Sequence, residues 1–419
     1  MVGILFSMQL TGSASKTEKG IRVVNPVLQY PHRKCPVCDH LGAELLHEQR
    51  FQGVAGTGLL DGYDVVACKS CGAVFSDHLP PVERFAEYYS SASKYEFSHR
   101  GGEQHREEII RVEGLAKWLA SQLPLGAPIL DVGCATGELL LKLRQEGFSD
   151  ITGLDPSREC VERARNLHGL TMIEGVLGSR KPDQRSYGAV ILSAVLEHIP
   201  ATDLFVKDLI QWTNSSGYLV VEVPDLEFFD QSWNAPFQEM SVEHVNFFTG
   251  PSLKNLMRRH GFKAVAERHF MCPAAPGVLT GAVLTVLFQK SNHAGRVEHE
   301  DISKSSMTRY LEQCRRIVDS ESSAIRKIVE SKQPVIVWGT GTLCQRLLAQ
   351  GELGKATITC FVDSNLHYQG KNLAGIPIIS PREINSDHAI LITSWSFQDE
   401  ITETIRKTLG LNNPIITLR

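Results

Sequence analysis

The clearest pattern of apolar and polar positions lies at residues 128–145. An apolar run at residues 129–132 is followed by small residues, and a leucine-rich helical pattern opens at Glu138. Such a run, ending in glycines before a 3.6-residue period begins, is typical of a strand, a tight turn and a helix. Gly133 and Gly137 supply the backbone freedom that the turn needs.

The alternation of strands and helices continues along the chain. Amphipathic patterns predict helices at residues 103–122 and 159–168. Strands that alternate with helices predict an α/β fold with a doubly wound sheet, whose ligands bind outside the carboxyl ends of the strands. The further strands expected are 150–155, 171–176, 187–193 and 217–224, with 262–267 and 283–289 as antiparallel additions.

Residues 300–419 repeat this pattern on a smaller scale. A long amphipathic helix at residues 303–331 precedes a strand at 334–338 and a Gly339-Thr340-Gly341 turn. This order predicts a Rossmann-like C-terminal domain, although the turn lacks the third glycine of a dinucleotide fingerprint. Two interpretations stay open, a nucleotide-binding domain and a degenerate unit used for packing or dimerisation. The further strands expected are 358–363 and 389–393.

Composition narrows the class of protein. A chain of 419 residues is too long for one core, so two or three domains are expected. The net charge of −4 argues against nucleic-acid binding driven by overall charge. No apolar run reaches the ~18–20 residues of a membrane span, and the first residues lack a signal peptide's cationic segment. We expect a cytoplasmic monomer or homodimer without a membrane partner, beginning with a disordered leader at residues 1–25.

Four cysteines are spaced like metal ligands. Cys35 and Cys38 form one C-x-x-C pair, and Cys68 and Cys71 form another. Four convergent thiolates suit a closed, tetrahedral structural zinc site, so we assign this zinc to folding rather than to chemistry. The alternatives are four unrelated buried thiols or two redox pairs. Residues 26–100 are the expected zinc-binding module.

The turn after the first strand favours S-adenosylmethionine (SAM) over NAD. An acid, Asp131, precedes the two glycines, and it would repel a pyrophosphate but suits a cationic amino acid. Asp155 ends the second strand, where a ribose diol is held in nucleotide-binding sheets. This D-x-G-x-x-x-G pattern resembles class I SAM-dependent methyltransferases. The expected cofactor-binding residues are Asp131, Gly133, Gly137, Asp155 and Ser193.

Two acid–histidine pairs are candidates for chemistry. Glu197 and His198 follow the fourth strand, and Glu243 and His244 lie in an apolar, aromatic run after the fifth. Burial would shift the pKa of such a pair, and histidine titrates near neutral pH. The alternatives are a surface helix start with a capping acid and a structural histidine. The aromatic residues at 85–89 either cover a pocket or pack the zinc module.

Several of these motifs together resemble one family, the bacterial C-methyltransferases of nucleotide-linked deoxy-ketosugars. The resemblance covers residues 33–419, and its departure is Ser241, which stands where the family has a tyrosine before the glutamate–histidine pair. The motifs that carry it are the two cysteine pairs, Val195–His198, Glu222–Pro224 and Glu243–Phe248.

The resemblance implies three domains and a reaction. They are the zinc-binding module, a SAM domain at residues 101–290, and a C-terminal domain at 300–419 that helps hold the nucleotide of a small-molecule substrate. The implied chemistry removes a proton beside a ketone. We expect His244 to be the base, Glu243 to tune it and His198 to stabilise the enolate oxygen. The alternatives are O- or N-methylation of another metabolite, which Ser241 motivates, and a non-catalytic SAM-binding or docking protein.

Overall fold

A computed structural model gives the fold of most of the chain. The expected leader at residues 1–25 lies outside the described residues. Within the described residues, no helix has the length and apolar character needed to cross a membrane. The described residues are 30–56, 59–91, 106–177, 186–232, 234–275, 278–291 and 293–418.

Strands and helices are numbered here in chain order. The strands are β1 (Ala43–Arg50), β2 (Gly62–Cys68), β3 (Val74–Asp77), β4 (Ile129–Val132), β5 (Ile151–Asp155), β6 (Thr171–Glu174), β7 (Tyr187–Ser193), β8 (Thr213–Pro224), β9 (Asn246–Phe247), β10 (Phe262–Ala275), β11 (Val278–Lys290), β12 (Val335–Trp338), β13 (Ile358–Val362), β14 (Asn372–Leu373), β15 (Ile376–Ile379), β16 (Ala389–Ile392) and β17 (Ile415–Thr417). The helices are α1 (Val82–Ser91), α2 (Arg106–Gln122), α3 (Glu138–Gln145), α4 (Arg158–His168), α5 (Thr202–Trp212), α6 (Gly250–Arg259), α7 (Ile302–Ser331), α8 (Thr342–Ala349) and α9 (Gln398–Glu403).

The central sheet has the order β10-β11-β8-β7-β4-β5-β6. Strands β4 to β8 are parallel, and β10 and β11 are antiparallel, which confirms the predicted doubly wound α/β fold. Side chains of β7 alternate between two cores, because Val190 and Leu192 pack on one face while Ala189 and Ile191 pack on the other. Both faces of the sheet are therefore covered, as parallel sheets require.

Strands β10 and β11 are longer than the sequence indicated. The pairing of β11 with β8 ends at Val283 and Pro224, yet β10 and β11 continue as a hairpin to Ala275 and Val278. Among the described residues no third strand pairs with this extension. The hairpin projects past the carboxyl ends of the parallel strands, which is the edge where a ligand is expected.

The N-terminal module shares a sheet with the central domain. Its strands β1, β2 and β3 are antiparallel, and β9 adds a fourth strand through Asn246 and Phe247. Because β9 comes directly after Glu243 and His244, the module's sheet fixes the position of that segment.

The C-terminal sheet has the order β14-β15-β13-β12-β16-β17, with β15, β13, β12, β16 and β17 parallel. It docks on the N-terminal module through backbone hydrogen bonds, including Gln52 N to Gln345 O at 3.0 Å and Ala55 N to Asn372 O at 2.9 Å. Helix α7 runs between the two cores. The first half of α7 packs against Val74 of β3 and Phe247 of β9. Ile325, in the second half, packs in the core of the C-terminal sheet.

Gly72 packs so closely against the backbone of Glu300 that no side chain would fit at this position. Gly72 follows the second cysteine pair at φ +85°, and a Cβ built there would lie 1.7 Å from the carbonyl oxygen of Glu300. We expect Gly72→Ala to lower the stability by the ~1–2 kcal/mol of a left-handed alanine plus ~1–3 kcal/mol for overpacking.

Gly375→Ala is the matched control, because Gly375 has φ +81° and nothing within 4 Å of its Cβ position. Urea unfolding midpoints of the two variants compare the costs. Equal shifts would mean that the Glu300 segment does not pack on Gly72 as described.

Candidate active site

The turn between β4 and α3 is tightly wound. Gly133, Ala135 and Gly137 all have positive φ values, of +73°, +47° and +86°. A Cβ on Gly133 would lie 2.7 Å from the Val195 side chain, and one on Gly137 would lie 2.4 Å from Leu170. The protein's own packing therefore demands these glycines, whatever ligand approaches the turn.

Asp155 holds this turn in place. One carboxylate oxygen accepts the Ala135 N–H at 2.8 Å, and the other accepts the Ser157 N–H at 2.9 Å. The first bond supports an alanine whose left-handed backbone is otherwise unfavourable. The acid expected to hold a ribose thus also shapes the loop on which a cofactor would lie.

Asp131 is a buried acid beside the turn. Its side chain is only 3% exposed. Burial, and next the negative charge of Asp155, raise the pKa of Asp131 to about 8, while Arg111 opposes the shift. A cation bound at this edge of the sheet would favour the ionised form.

Ser193 lies in a charged network at the ends of β7 and β8. Its hydroxyl donates to Glu222 at 3.0 Å and accepts from Arg111 at 3.0 Å, and Arg111 also pairs with Glu222. Glu222 accepts further bonds from Thr285 at 3.0 Å and Arg268 at 3.3 Å. Arg111 was not singled out from the sequence; its only signal is an arginine beside the apolar stripe of a predicted helix.

His198 lies on a short 3₁₀ turn, Leu196–His198, directly after β7. Its Nδ1 is 3.2 Å from the carbonyl oxygen of Glu243 and 3.1 Å from the hydroxyl of Tyr89. Its Nε2 is 3.7 Å from a carboxylate oxygen of Glu197. The preceding residue, Val195, packs on Gly133, so this turn and the glycine turn are neighbours.

His244 faces His198 across a short gap. The two ring centroids are 4.9 Å apart, with an angle of 70° between the rings. The Nδ1 of His244 lies 3.1 Å from the carbonyl oxygen of Glu239. The structure thus brings together two histidines that are 46 positions apart in the sequence.

Ser241 builds the turn that presents the second pair. Its hydroxyl accepts the N–H groups of Glu243 and His244, both at 3.2 Å. Serine hydroxyls commonly close such turns. The residue that departs from the family tyrosine therefore has a backbone role, and its own carbonyl accepts the Tyr63 hydroxyl at 2.8 Å.

Phenols reach the site from α1 instead. Tyr88 donates a 2.8 Å hydrogen bond to Glu243, and Tyr89 contacts His198. Burial, and next the charge of Glu243, raise the pKa of Tyr88 well above its usual value. Phe85 of the same run is buried in the core of the N-terminal module, so the run packs this module while Tyr88 and Tyr89 contact the two acid–histidine pairs.

A further phenol comes from the C-terminal domain. Burial raises the pKa of Tyr368 to about 12, and the negative charge of Glu243 contributes to the rise. Tyr368 therefore lies within electrostatic range of the Glu243 carboxylate. The sequence offers no signal for this, because it depends on how the two domains dock.

Asn246 joins the two histidine segments. Its side-chain amide donates to the carbonyl oxygens of Leu196 and Ile199, both at 2.8 Å, and accepts from Arg33 at 2.8 Å. The amide is 2% exposed. Three segments that are distant in sequence thus meet on one buried side chain.

The four cysteines of the N-terminal module converge. Their sulfur atoms all lie within 4.8 Å of one another, with Cys35 and Cys71 3.6 Å apart and Cys38 and Cys68 3.5 Å apart. Tetrahedral zinc with Zn–S bonds of about 2.3 Å needs sulfurs about 3.8 Å apart. All ten cysteines of the chain are free thiols in the described structure. The residues present therefore fit a four-thiolate metal site.

The comparisons with known proteins identify the class of the central domain. Residues 103–267 match a family model described as a methyltransferase domain, and residues 331–416 match the N-terminal domain of the C2185-like family. With the sheet order above, the chain contains a class I SAM-dependent methyltransferase domain.

The named relatives are distant. A probable (S)-tetrahydroprotoberberine N-methyltransferase 2 of Papaver bracteatum is 29% identical over 34% of this chain and 42% of its own. The (S)-tetrahydroprotoberberine N-methyltransferase of Eschscholzia californica is 21% identical over 50% and 54%. The solved structure of magnesium protoporphyrin IX methyltransferase from Synechocystis PCC 6803 is 18% identical, with a TM-score of 0.37. The match covers 49% of this chain and 95% of that one. The chain spans about half the length of the curated relatives it matches.

Asp131 predicts a proton linkage on SAM binding. With a pKa of about 8, its carboxyl is largely protonated at pH 7 and must ionise to face a cationic ligand. We expect binding to release a proton and the affinity to rise with pH, by at most about tenfold per unit below pH 8.

Calorimetry in buffers of different ionisation enthalpy counts the protons. Asp131→Asn serves as the reference, because it keeps the shape and removes the ionisation, so that any contribution from the ligand's own amine remains. The same proton release in both proteins would contradict this role.

The cysteine cluster predicts one tightly held zinc per chain. Metal analysis after purification without added zinc measures it. We expect Cys35→Ser to lose metal and to lower the unfolding midpoint, because structural zinc contributes directly to folding. The control is Cys344→Ser, at a buried thiol outside the cluster. Metal-free wild-type protein with an unchanged midpoint would contradict the assignment.

Proposed function

We propose that this protein is a SAM-dependent methyltransferase that methylates a carbon next to the ketone of a nucleotide-linked deoxy-ketosugar. The observation that carries the proposal is the pairing of His198 and His244, 4.9 Å apart at the edge of the sheet where a ligand binds. Phenols of Tyr88 and Tyr89 border the same place. A base and hydroxyl groups gathered at this edge suit removal of a proton beside a carbonyl.

The cofactor would lie along the glycine turn. Asp131, Gly133, Gly137 and Asp155 supply an acidic edge and a wound loop, which suit a cationic amino acid joined to a nucleoside. Ser193 orients Arg111 and Glu222 at the neighbouring strand ends. When bound, SAM supplies an electrophilic methyl group on its sulfonium.

His244 would take the proton. Its Nδ1 faces a carbonyl oxygen, which only accepts hydrogen bonds, so Nδ1 carries the hydrogen and Nε2 is the basic nitrogen. The proton on the substrate carbon would move to Nε2, and the C–H electron pair left on the substrate as an enolate would be available to the methyl group that SAM supplies. The Tyr89 hydroxyl is placed to stabilise the enolate oxygen, and His198 can do so only when both of its ring nitrogens carry hydrogen.

We propose a second role for Glu243 beside the expected tuning of His244. Its carboxylate accepts the Tyr88 hydrogen bond and raises the pKa of that phenol, so it keeps Tyr88 protonated as a donor. We propose that the Glu243–Tyr88 pair binds a hydroxyl group of the acceptor, which can donate to the carboxylate or to the phenol oxygen.

We assign the zinc to the four cysteines and to folding, because a closed four-thiolate site leaves no position for substrate. Zinc in this place would hold the start of the module whose α1 carries Tyr88 and Tyr89.

The C-terminal domain is proposed to hold the nucleotide of the substrate. Asp363 accepts the N–H of Thr340 at 2.9 Å and that of Asn365 at 2.8 Å, which repeats the way Asp155 holds the first turn. Tyr368, near Glu243, follows Asp363 on the same loop. We propose that a nucleotide at this turn extends its sugar towards the histidines. The competing interpretation is a unit used only for packing or dimerisation.

O- or N-methylation is the second candidate. Two observations favour it: Ser241 is engaged in a backbone turn, so the family phenol is missing, and the relatives from Papaver bracteatum and Eschscholzia californica are named N-methyltransferases. Labelled SAM with a panel of nucleotide-linked ketosugars tests the leading proposal. NMR of any product distinguishes methylation at carbon from methylation at oxygen or nitrogen.

We predict that His244→Ala keeps SAM affinity and lowers turnover by ~10²–10⁴, the usual contribution of a general base. With S-adenosylhomocysteine in place of SAM, the wild type should exchange the substrate's acidic hydrogen for deuterium, and the variant should not.

His260→Ala is the control, since His260 pairs with Asp203 on α5, outside the site. Full turnover in His244→Ala would remove this residue from the reaction and leave His198 as the base. Turnover without exchange in the wild type would favour the oxygen or nitrogen acceptor.

A further inference from the structure

Glu197, His198 and His244 form a compact set of metal-ligand groups. One ligand atom of each residue lies within 4.8 Å of the other two. We propose that these three residues bind a divalent transition-metal ion, such as Zn²⁺, at a second site distinct from the four cysteines, and that occupancy of this site inhibits the enzyme. The inhibitory part rests on the proposed function of His244.

The hydrogen bonds of both rings favour a metal-binding tautomer. Nδ1 of His198 faces the Glu243 carbonyl oxygen at 3.2 Å, and Nδ1 of His244 faces the Glu239 carbonyl oxygen at 3.1 Å. Nδ1 of His198 also lies 3.1 Å from the Tyr89 hydroxyl, whose oxygen can accept the same hydrogen. A carbonyl oxygen only accepts, so it favours the hydrogen on Nδ1 and the lone pair on Nε2. Histidines that bind metal ions are typically held in this way.

The third group is a buried carboxylate. Glu197 is 2% exposed, and its Oε1 lies 3.7 Å from Nε2 of His198. If a metal ion lay about 2.1 Å from each of these two atoms, the angle between the two bonds at the metal would be roughly 120°, which is close to tetrahedral coordination. Small side-chain movements would bring His244 into range as the remaining ligand.

The donor set selects the kind of ion. Two imidazoles and one carboxylate suit zinc and its neighbours in the first transition series. Mg²⁺ prefers six oxygen ligands and keeps several waters, so it fits this set poorly.

A second histidine–carboxylate cluster is the competing location. It consists of His32, Asp77 and His78. Both oxygens of Asp77 are already engaged there, because Oδ1 accepts the N–H groups of Arg33 and His78 while Oδ2 pairs with His32 at 2.6 Å. A metal ion at that place would have to displace an existing bond.

Metal binding and base catalysis exclude each other at His244. The same Nε2 lone pair would either bind the ion or accept the substrate's proton. Excess zinc is therefore expected to stop turnover, and a chelator too weak to strip a four-thiolate site is expected to restore it.

The test is a titration of full-length protein that holds one zinc with further Zn²⁺, followed by metal analysis and calorimetry. We expect a second equivalent in the wild type. Glu197→Gln and His198→Asn should each weaken this second equivalent by more than the ~10–100-fold that loss of an outer-shell partner costs, while the first equivalent stays. His32→Ala should bind both equivalents, and Mg²⁺ should not compete.

Substitution with Co²⁺ gives a readout that is independent of turnover. The four-thiolate site shows thiolate-to-metal charge-transfer bands, whereas the second equivalent should add ligand-field bands without them. Circular dichroism of Glu197→Gln and His198→Asn checks that both variants fold.

The outcomes separate the two proposals. Only one equivalent at any zinc concentration, or a second equivalent lost in His32→Ala but kept in Glu197→Gln, would overturn the second site even if methyl transfer is found. A second equivalent lost in Glu197→Gln, in a protein that methylates nothing, would support the site and reject the proposed function. Loss of turnover in parallel with the second equivalent supports both.

Discussion

The arrangement of the candidate site depends on one buried amide. Asn246 holds the Leu196–His198 turn through two carbonyl oxygens and reaches Arg33 of the N-terminal module with its own oxygen. Burial lowers the pKa of Arg33 to about 10, yet the side chain remains charged at neutral pH. Loss of a partner from such a buried set costs more than the bond itself contributes, because the remaining groups are left desolvated. The module that carries the four cysteines thus sets the distance between His198 and His244.

Charged residues set the electrostatic potential at the cofactor end of the site, beside the glycine turn. Asp131, Asp155 and Glu222 lie close together at the strand ends, and Arg111 and Arg268, which both pair with Glu222, offset part of their charge. Burial is the main cause of the raised pKa of Asp131, and the charges of Asp155 and Glu222 add to it. An edge with surplus negative charge attracts a cationic cofactor and disfavours a pyrophosphate, which agrees with the matched methyltransferase domain.

Local patterns in the sequence were enough for the parts of the fold that rest on local physics. Apolar runs located the parallel strands, and the spacing of Cys35, Cys38, Cys68 and Cys71 indicated their convergence. The same reasoning could not find β9, the hairpin beyond Pro224, or the approach of Tyr88 and Tyr368 to Glu243. Strand β9 and the approach of Tyr88 and Tyr368 to Glu243 depend on how separate domains dock, and a chain's periodicity carries no signal for a contact between domains. The β10–β11 hairpin lies within the central domain, and the sequence predicted only part of it, as strands at 262–267 and 283–289. Ser241 was informative as a departure, but its hydrogen bonds to Glu243 and His244 explain it only once the turn is seen.

Helix α7 has a consequence for how this chain can be divided. Its 30 residues belong to two cores, since Met307 and Cys314 pack with the N-terminal and central domains, while Ile325 and Ile328 pack under the C-terminal sheet. A cut in the polar segment before Ile302 would strip an apolar ridge from the remaining half. A natural or engineered exchange of C-terminal domains would therefore have its best junction inside the helix, between Cys314 and Ile325. There the helix stops packing against one core and begins to pack against the other.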